Sequence, residues 1–131
     1  MPALDRLHGA RVVADPAALD ALVARSLPAG ALALRLAPDD LFIIDVDADS
    51  LRIADAHAIA VDDAGWVGAW CGFDAVAPHI EWQLPVERPV LAQGSIAGVP
   101  AKLWLPVAGD ALLLTAAAYG STLAERLGWR A

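Results

Sequence analysis

The segment "RVVADPAALDALVARSL", residues 11–27, places a short strand directly before a helix and sets the pattern of the chain. Residues 11–14 are predicted to form a strand, because Val12 and Val13 at their centre are apolar and β-branched. Asp15 is suited to cap a helix, and Pro16 takes the first helical position, where its missing N–H is not needed. Residues 28–30, "PAG", end the helix. The apolar stripe of this helix, at helical spacing, consists of Leu19, Leu22, Val23 and Leu27.

Further strands follow from apolar alternation and from β-branched runs. "ALALRLA" (31–37) alternates, and the turn at 38–40 leads to a second strand, "LFIIDV" (41–46). "YGSTLAERLG" (119–128) predicts a closing helix that ends at its final glycine. The remaining predicted strands are 66–71, 90–98, 99–106 and 111–117.

The middle of the chain gives less regular patterns. Residues 51–61 predict one interrupted strand or two short ones, and "DDAG" (62–65) predicts a turn. Residues 73–82 predict one or two helical turns with a restart at Pro78, since proline is not tolerated deep inside a helix. Residues 84–89 are predicted to be an extended connector.

The order of these elements predicts an α+β fold. We expect a single domain over residues 1–131, with a twisted, mostly antiparallel sheet and two or three helices packed on it. A chain of this length buries roughly two-thirds of the surface that its unfolded form exposes. With 58% hydrophobic residues, it does not need disulfides or metals to fold.

Composition excludes some partners. The net charge is −7, and Lys102 is the only lysine, whereas nucleic acids and anionic membranes are bound largely through lysine and arginine. No apolar run approaches the roughly 18 residues that span a bilayer. The first residues lack the basic end and apolar core of a signal peptide. We therefore expect a cytoplasmic protein that binds neither nucleic acid nor membranes.

The segment "DVDADS" (45–50) carries Asp45, Asp47 and Asp49 at alternate positions, as a calcium loop does. An EF-hand loop also needs Gly at its sixth position and Glu at its twelfth, where this chain has Ser50 and Ala56. The flanking pattern is a strand, whereas the motif requires a helix. The segment is interpreted as a polar turn, with weak calcium binding as an alternative and no metal site predicted.

Candidates for catalysis are few. Cys71 lies among apolar neighbours and is predicted to be a buried structural thiol. His57 and Asp55 fall on one face if they lie in a strand, so they form a candidate acid–base pair, with Asp62 and Asp63 nearby in sequence. The alternative is ordinary surface polarity. We assign no catalytic residue, and a small enzyme that uses this pair remains the alternative to a non-catalytic chain.

Tryptophans crowd the middle of the chain. In a strand over 66–71, Trp66 and Trp70 share one face with Gly68 between them, and Trp82 follows. Aromatic residues of this size occur both in cores and at interface hot spots. Either role is open, and Trp66, Trp70 and Trp82 are the candidate partner-interface residues.

Three segments resemble a known family. They are "LRLAPDDLFII" (34–44), "ERPVLAQGSIAGVPAKLWL" (87–105) and "ALLLTAAAYGSTLAERL" (111–127). They look like the γ subunit of heterotetrameric sarcosine oxidase, a relative of the glycine-cleavage aminomethyltransferase fold. An "L-G-P-D-E-W-L" stretch recurs in that family, and "LAPDDLF" resembles it, with Ala37 in place of the glycine and Leu41–Phe42 in place of the tryptophan and leucine.

The resemblance implies an aminomethyltransferase-like fold and a non-catalytic accessory chain of a flavin- and folate-linked amine oxidase. No residue matches a catalytic or folate-binding position of that family, so the cofactor-binding residues are unknown. We expect that this chain binds no cofactor, and folate enters only through the resemblance. A protein partner or self-association is expected.

Overall fold

A computed structural model describes residues 2–25 and 27–129 of the chain. The described residues form seven strands and two α-helices, together with several 3₁₀ turns. In chain order the elements are β1 (Asp5–Val13), α1 (Pro16–Ala24), β2 (Leu32–Ala37), β3 (Asp40–Ile44), β4 (Ile59–Cys71), β5 (Val90–Ile96), β6 (Val99–Leu105), β7 (Ala111–Ala116) and α2 (Gly120–Leu127). The α+β class and the mostly antiparallel sheet are confirmed.

The chain divides into two compact units. The amino-terminal unit comprises Leu7–Ala64, and the carboxy-terminal unit comprises residues 2–6 and 65–129. Strand β4 begins in the first unit and continues into the second. The assignment of residues 1–131 to a single domain stays a prediction.

In the amino-terminal unit, β3 pairs antiparallel with both β1 and β2. One face of these strands packs against α1, and its core includes Val12, Leu19, Leu22, Leu41 and Ile43. Asp15 is the residue before the helix and Pro16 starts it, as predicted, although the Asp15 side chain makes no capping hydrogen bond. The amino-terminal unit is therefore a small sheet covered by one helix.

Helix α1 is shorter than the sequence predicts. Arg25 is already extended, with φ −74° and ψ 161°, and Leu27 lies outside the helix. Ser26, which the predicted helix included, lies outside the described residues. Leu27 precedes Pro28, and the residue before a proline is disfavoured in a helix. Leu27 still packs on the core as expected, whereas Val23 is 42% exposed and does not belong to the buried stripe.

In the carboxy-terminal unit the strand order is β4-β7-β6-β5, and each neighbouring pair is antiparallel. One face of these strands carries a core that includes Cys71, Ile96, Leu103 and Leu113, with Leu123 of α2 packed on it. Helix α2 ends at Gly128, whose φ is +77°, as the sequence predicts. The carboxy-terminal unit is again a sheet with one α-helix on the face that holds this core.

Two predictions in the middle of the chain are wrong. Residues 51–58 form no strand, and β4 begins only at Ile59. Residues 62–65, predicted as a turn, lie inside β4. The carboxylates of Asp62 and Asp63 contact distant segments, Ala48 and Arg11 respectively, so their turn preference is overridden by tertiary contacts.

Other predictions in this region are confirmed. Residues 73–82 contain two 3₁₀ turns, Phe73–Ala75 and Ala77–His79, and Pro78 lies in the first positions of the second. The segment 84–89 forms neither helix nor strand. In the part of the chain that the structure describes, no helix is long and apolar enough to cross a membrane.

Candidate functional site

The segment 45–50 is a turn that leaves the end of β3. The backbone N–H of Asp45 donates to the carbonyl of His8 at 2.8 Å, and Asp45 has a positive φ of 64°. The Ser50 hydroxyl donates to the carbonyl of Asp47 at 2.7 Å, within a 3₁₀ turn at Ala48–Ser50. Asp and Ser side chains often bond to nearby backbone in such turns. The local geometry agrees with the interpretation as a polar turn.

Carboxylates from this turn and from β4 line a cleft in the amino-terminal unit, with a volume of about 520 Å³. We call it the acidic cleft, and its lining consists of His8, Gly9, Asp45, Val46, Asp47, Asp62, Asp63 and Ala64. Two of the three candidate calcium ligands therefore lie in one cleft, and Asp49 is not part of its lining.

Partners within the fold engage two of these carboxylates. Asp62 accepts a hydrogen bond from the backbone N–H of Ala48 at 2.8 Å, which ties the polar turn to β4. Asp63 lies 3.5 Å from a guanidinium nitrogen of Arg11, whose other nitrogens bind both oxygens of Asp40 at 2.6 Å. Among residues 2–25 and 27–129, no group of three or more His, Cys, Asp or Glu side chains is arranged to hold a metal ion.

In the candidate acid–base pair, Asp55 and His57, the carboxylate binds backbone N–H groups. One carboxylate oxygen of Asp55 accepts the backbone N–H of Asp15 and the other accepts the backbone N–H of His57, both at 2.9 Å. The first of these bonds, followed by the second, lowers the pKa of Asp55. Because Asp15 precedes α1, Asp55 fixes the start of that helix. The carboxylate is thus used by the backbone, and this geometry does not favour a catalytic role.

Cys71 is buried, with 4% of its surface exposed, as predicted for a structural thiol. Burial raises the pKa of the thiol, and the nearby charge of Asp110 raises it further. A thiol with a raised pKa is a poor nucleophile at neutral pH.

The three candidate interface tryptophans do not form one patch. Trp66 and Trp70 lie on the same face of β4, as predicted, opposite Ala116 and Leu112 of β7. Trp82 lies on the other face, where its ring covers Gly94 and packs against the carboxy-terminal core. Trp82 therefore contributes to packing, whereas Trp70 is 54% exposed. An interface role for these residues stays a prediction.

Trp70 lies at an end of the carboxy-terminal unit that carries further exposed apolar side chains. Phe73 follows the end of β4 and Val107 lies in the loop that leads into β7. We call Trp70, Phe73 and Val107 the aromatic end. Beside it is a hollow of about 140 Å³, lined by Phe73, Arg88, Leu105, Pro106, Gly109 and Ala111. Phe73 was not selected from the sequence, although it lies two residues after a strand that contains Trp66 and Trp70.

Trp66 belongs to a different feature of the same unit. The ammonium of Lys102 lies 5.3 Å from the centre of the Trp66 ring, within the range of a cation–π contact. Both residues line a groove of about 240 Å³, which we call the indole groove. Its full lining is Trp66, Gln93, Gly94, Pro100, Ala101, Lys102, Ala116 and Tyr119. Sequence reasoning noted Lys102 only as the single lysine and did not connect it with Trp66.

In comparisons with known proteins, no family model matches this chain and no curated protein matches it.

Proposed function

We propose that this chain is a non-catalytic accessory or binding domain that docks a protein partner through its aromatic end. The observation that carries the proposal is the exposure of Trp70, 54%, beside that of Phe73, 40%. Large aromatic side chains gain most when an interface removes them from water, and tryptophan is enriched at interface hot spots. A docked partner would bury both rings.

The surroundings of the aromatic end suit the centre of an interface. Arg88 lines the adjacent hollow, and arginine, like tryptophan, is enriched at interface hot spots. The size of the hollow suits the insertion of one side chain from a partner. Three acidic residues are each next in sequence to a residue that lines the hollow. These acidic residues are Asp74, Glu87 and Asp110. A partner with an apolar projection and a basic rim fits this surface.

A different protein fits better than a second copy. The chain carries a net charge of −7, so two copies that met at this surface would repel each other, whereas a basic partner would be attracted. Self-association remains the other outcome that the experiment below distinguishes.

The resemblance to sarcosine oxidase γ subunits supplies the class of partner. Its three segments correspond to the hairpin β2–β3, the hairpin β5–β6, and β7 with α2. The proposed partner is accordingly a flavin- and folate-linked amine oxidase, which holds the redox centre, while this chain supplies a scaffold. Sarcosine as the substrate, an aminomethyltransferase-like fold and a cytoplasmic location belong to the same proposal.

The test is affinity purification of the tagged chain from its native host, with Trp70→Ser and Tyr119→Ser variants. Tyr119 is a matched control because it is also exposed, at 46%, but follows the opposite end of β7. We expect the wild type and Tyr119→Ser to retain a stoichiometric partner with flavin absorbance, and Trp70→Ser to lose it. Light scattering on the purified chain reports any dimer.

Two results contradict the proposal. The wild-type chain purifies alone and monomeric, or Trp70→Ser retains the same partner as the wild type. A concentration-dependent dimer that Trp70→Ser abolishes would replace the foreign partner with a second copy.

A further inference from the structure

We propose that the indole groove binds a small planar aromatic carboxylate, an activity that goes beyond the docking of a protein partner. The groove lies within the carboxy-terminal unit, on the strands β4 to β7, and Tyr119 follows the last residue of β7. Pockets for small molecules are mostly apolar and carry a few well-placed polar groups. The indole groove has this character.

The shape of the groove favours a flat ligand. Its walls include two aromatic side chains, Trp66 and Tyr119, and its lining includes Ala116, whose side chain is a single methyl group. Because Ala116 is the partner of Trp66 across the strand pair, a small residue adjoins the indole ring. The volume of about 240 Å³ corresponds to about eight water molecules. One aromatic ring with a substituent fits this space and can contact the aromatic walls.

The charge of the groove selects a carboxylate. Lys102 is the only lysine of an acidic chain, and the contacts with the Trp66 ring and with the Gln93 side-chain oxygen hold its ammonium in place. A positive charge held in a groove attracts an anion and donates charge-assisted hydrogen bonds. One cation matches one carboxylate, whereas polyanions such as nucleic acids are repelled by the net charge of −7.

The experiment is a titration of the whole wild-type chain with benzoate, followed through the indole N–H signals in NMR spectra. For a ligand of this size we expect a dissociation constant of about 1 mM. Benzamide, which keeps the ring without the charge, is expected to bind about tenfold more weakly, and acetate, which keeps the charge without the ring, is expected to bind more weakly still.

Variants locate the site. Lys102→Met is expected to weaken benzoate binding about tenfold, and Lys102→Arg to retain most of it, because the charge is kept. Trp66→Leu is expected to weaken it about threefold to tenfold. The control is Arg35→Met, which removes a cation from β2 in the amino-terminal unit and should leave benzoate binding unchanged.

The proposal is overturned if benzoate shows no saturation by about 10 mM, ten times the expected dissociation constant. It is also overturned if benzamide binds as tightly as benzoate, or if Lys102→Met binds benzoate as tightly as the wild type. None of these results bears on partner docking, which depends on Trp70 and not on Lys102.

Discussion

The two units are built from the same kinds of elements, antiparallel strands and one α-helix, yet among the described residues carboxylates join more of the distant segments in the amino-terminal unit than in the carboxy-terminal one, where Glu81 does so. In the amino-terminal unit, carboxylates join distant segments: Asp40 binds Arg11, Asp55 binds the start of α1, and Asp62 binds the polar turn. In the carboxy-terminal unit, apolar side chains fill the core, and the aromatic side chains of Trp70 and Phe73 are exposed at the surface.

This difference indicates where each unit can act. Carboxylates that already accept hydrogen bonds from backbone or guanidinium groups are held by the fold, so they are poor candidates for chemistry. Exposed rings such as Trp70 make no comparable contribution to folding, and under our proposal a partner covers them. Both of our proposals therefore place binding in the carboxy-terminal unit.

The largest expected effects come from truncating the cores. Leu19→Ala in the amino-terminal unit and Leu113→Ala in the carboxy-terminal unit should each lower the free energy of unfolding by about 2–5 kcal/mol, because both side chains are fully buried. Urea unfolding measures this effect. Val107→Ala is the control, since this side chain is 76% exposed and its loss should stay within about 0.5 kcal/mol.

The same unfolding curves test whether the two units belong to one domain. A single domain predicts one transition that both leucine variants shift. Two separate transitions, each shifted by only one variant, would contradict the single-domain prediction.

The next largest effects on stability are expected at two glycines that lie directly against neighbouring atoms, Gly9 and Gly94. A Cβ at Gly9 would collide with the backbone carbonyl of Ile43, whereas a Cβ at Gly94 would lie 2.5 Å from the Trp82 ring, which can shift. Gly9→Ala should cost about 3 kcal/mol and Gly94→Ala about 1–2 kcal/mol. Gly72→Ala, with open space and an extended backbone, should change stability by less than about 0.5 kcal/mol. Equal losses at Gly9 and Gly94 would contradict this difference.

The Arg11–Asp40 ion pair should contribute less to the free energy of unfolding than the buried leucines or the close contact at Gly9. Its side chains are 31% and 21% exposed, so Arg11→Met should cost about 1 kcal/mol, and less in high salt. The control is Arg35→Met, because the partner Asp20 is 72% exposed and the loss should not exceed about 0.5 kcal/mol. Thermal melts at low and high salt measure both, and a salt-independent loss at Arg11 would show that packing, not charge, is responsible.

The smallest expected effect is on the dependence of stability on acidic pH. One carboxylate in each unit, Asp55 and Glu81, should contribute to it. The backbone N–H of Gly98 and then the hydroxyl of Ser95 lower the pKa of Glu81, as backbone bonds do for Asp55. Because the folded-state pKa is the lower one, the stabilisation is present above the unfolded pKa of about 4 and is lost as the pH falls through the folded value.

Removing either carboxylate should therefore flatten the dependence of stability on pH. Glu81→Gln and Asp55→Asn should each lose less stability than the wild type between neutral pH and about pH 3. Melting temperatures across this range provide the measurement. Glu87→Gln is a control at another exposed carboxylate, and a flattening of the same size there would argue against specific bonds at Glu81 and Asp55.

Much of the fold was predictable because its signals are local. The apolar runs of β5, β6 and β7 and the final glycine of α2 identify those elements without any knowledge of their neighbours. The start of α1 was equally clear from Asp15 and Pro16. Its end was not, because Leu27 continues the apolar spacing and packs on the core although the chain is already extended at Arg25.

The candidate sites were less predictable. Trp66, Trp70 and Trp82 were grouped because they are close along the chain, but the fold places them in three different environments. Trp66 lines the indole groove, Trp70 is exposed, and Trp82 packs against the core. Lys102 joins Trp66 only because β7 lies between their strands. Such neighbours are set by sheet register and leave no local signal.

The amino-acid sequence by itself determined the α+β class, most strand positions, both helices and the net charge of −7, since periodicity and composition are properties of the chain alone. Only the tertiary structure decided that β4 runs straight through residues 62–65 and that Asp55 holds a helix start. The physical reason is that those carboxylates meet partners such as Arg11, 52 positions from Asp63, and a bond over that distance outweighs a local turn preference.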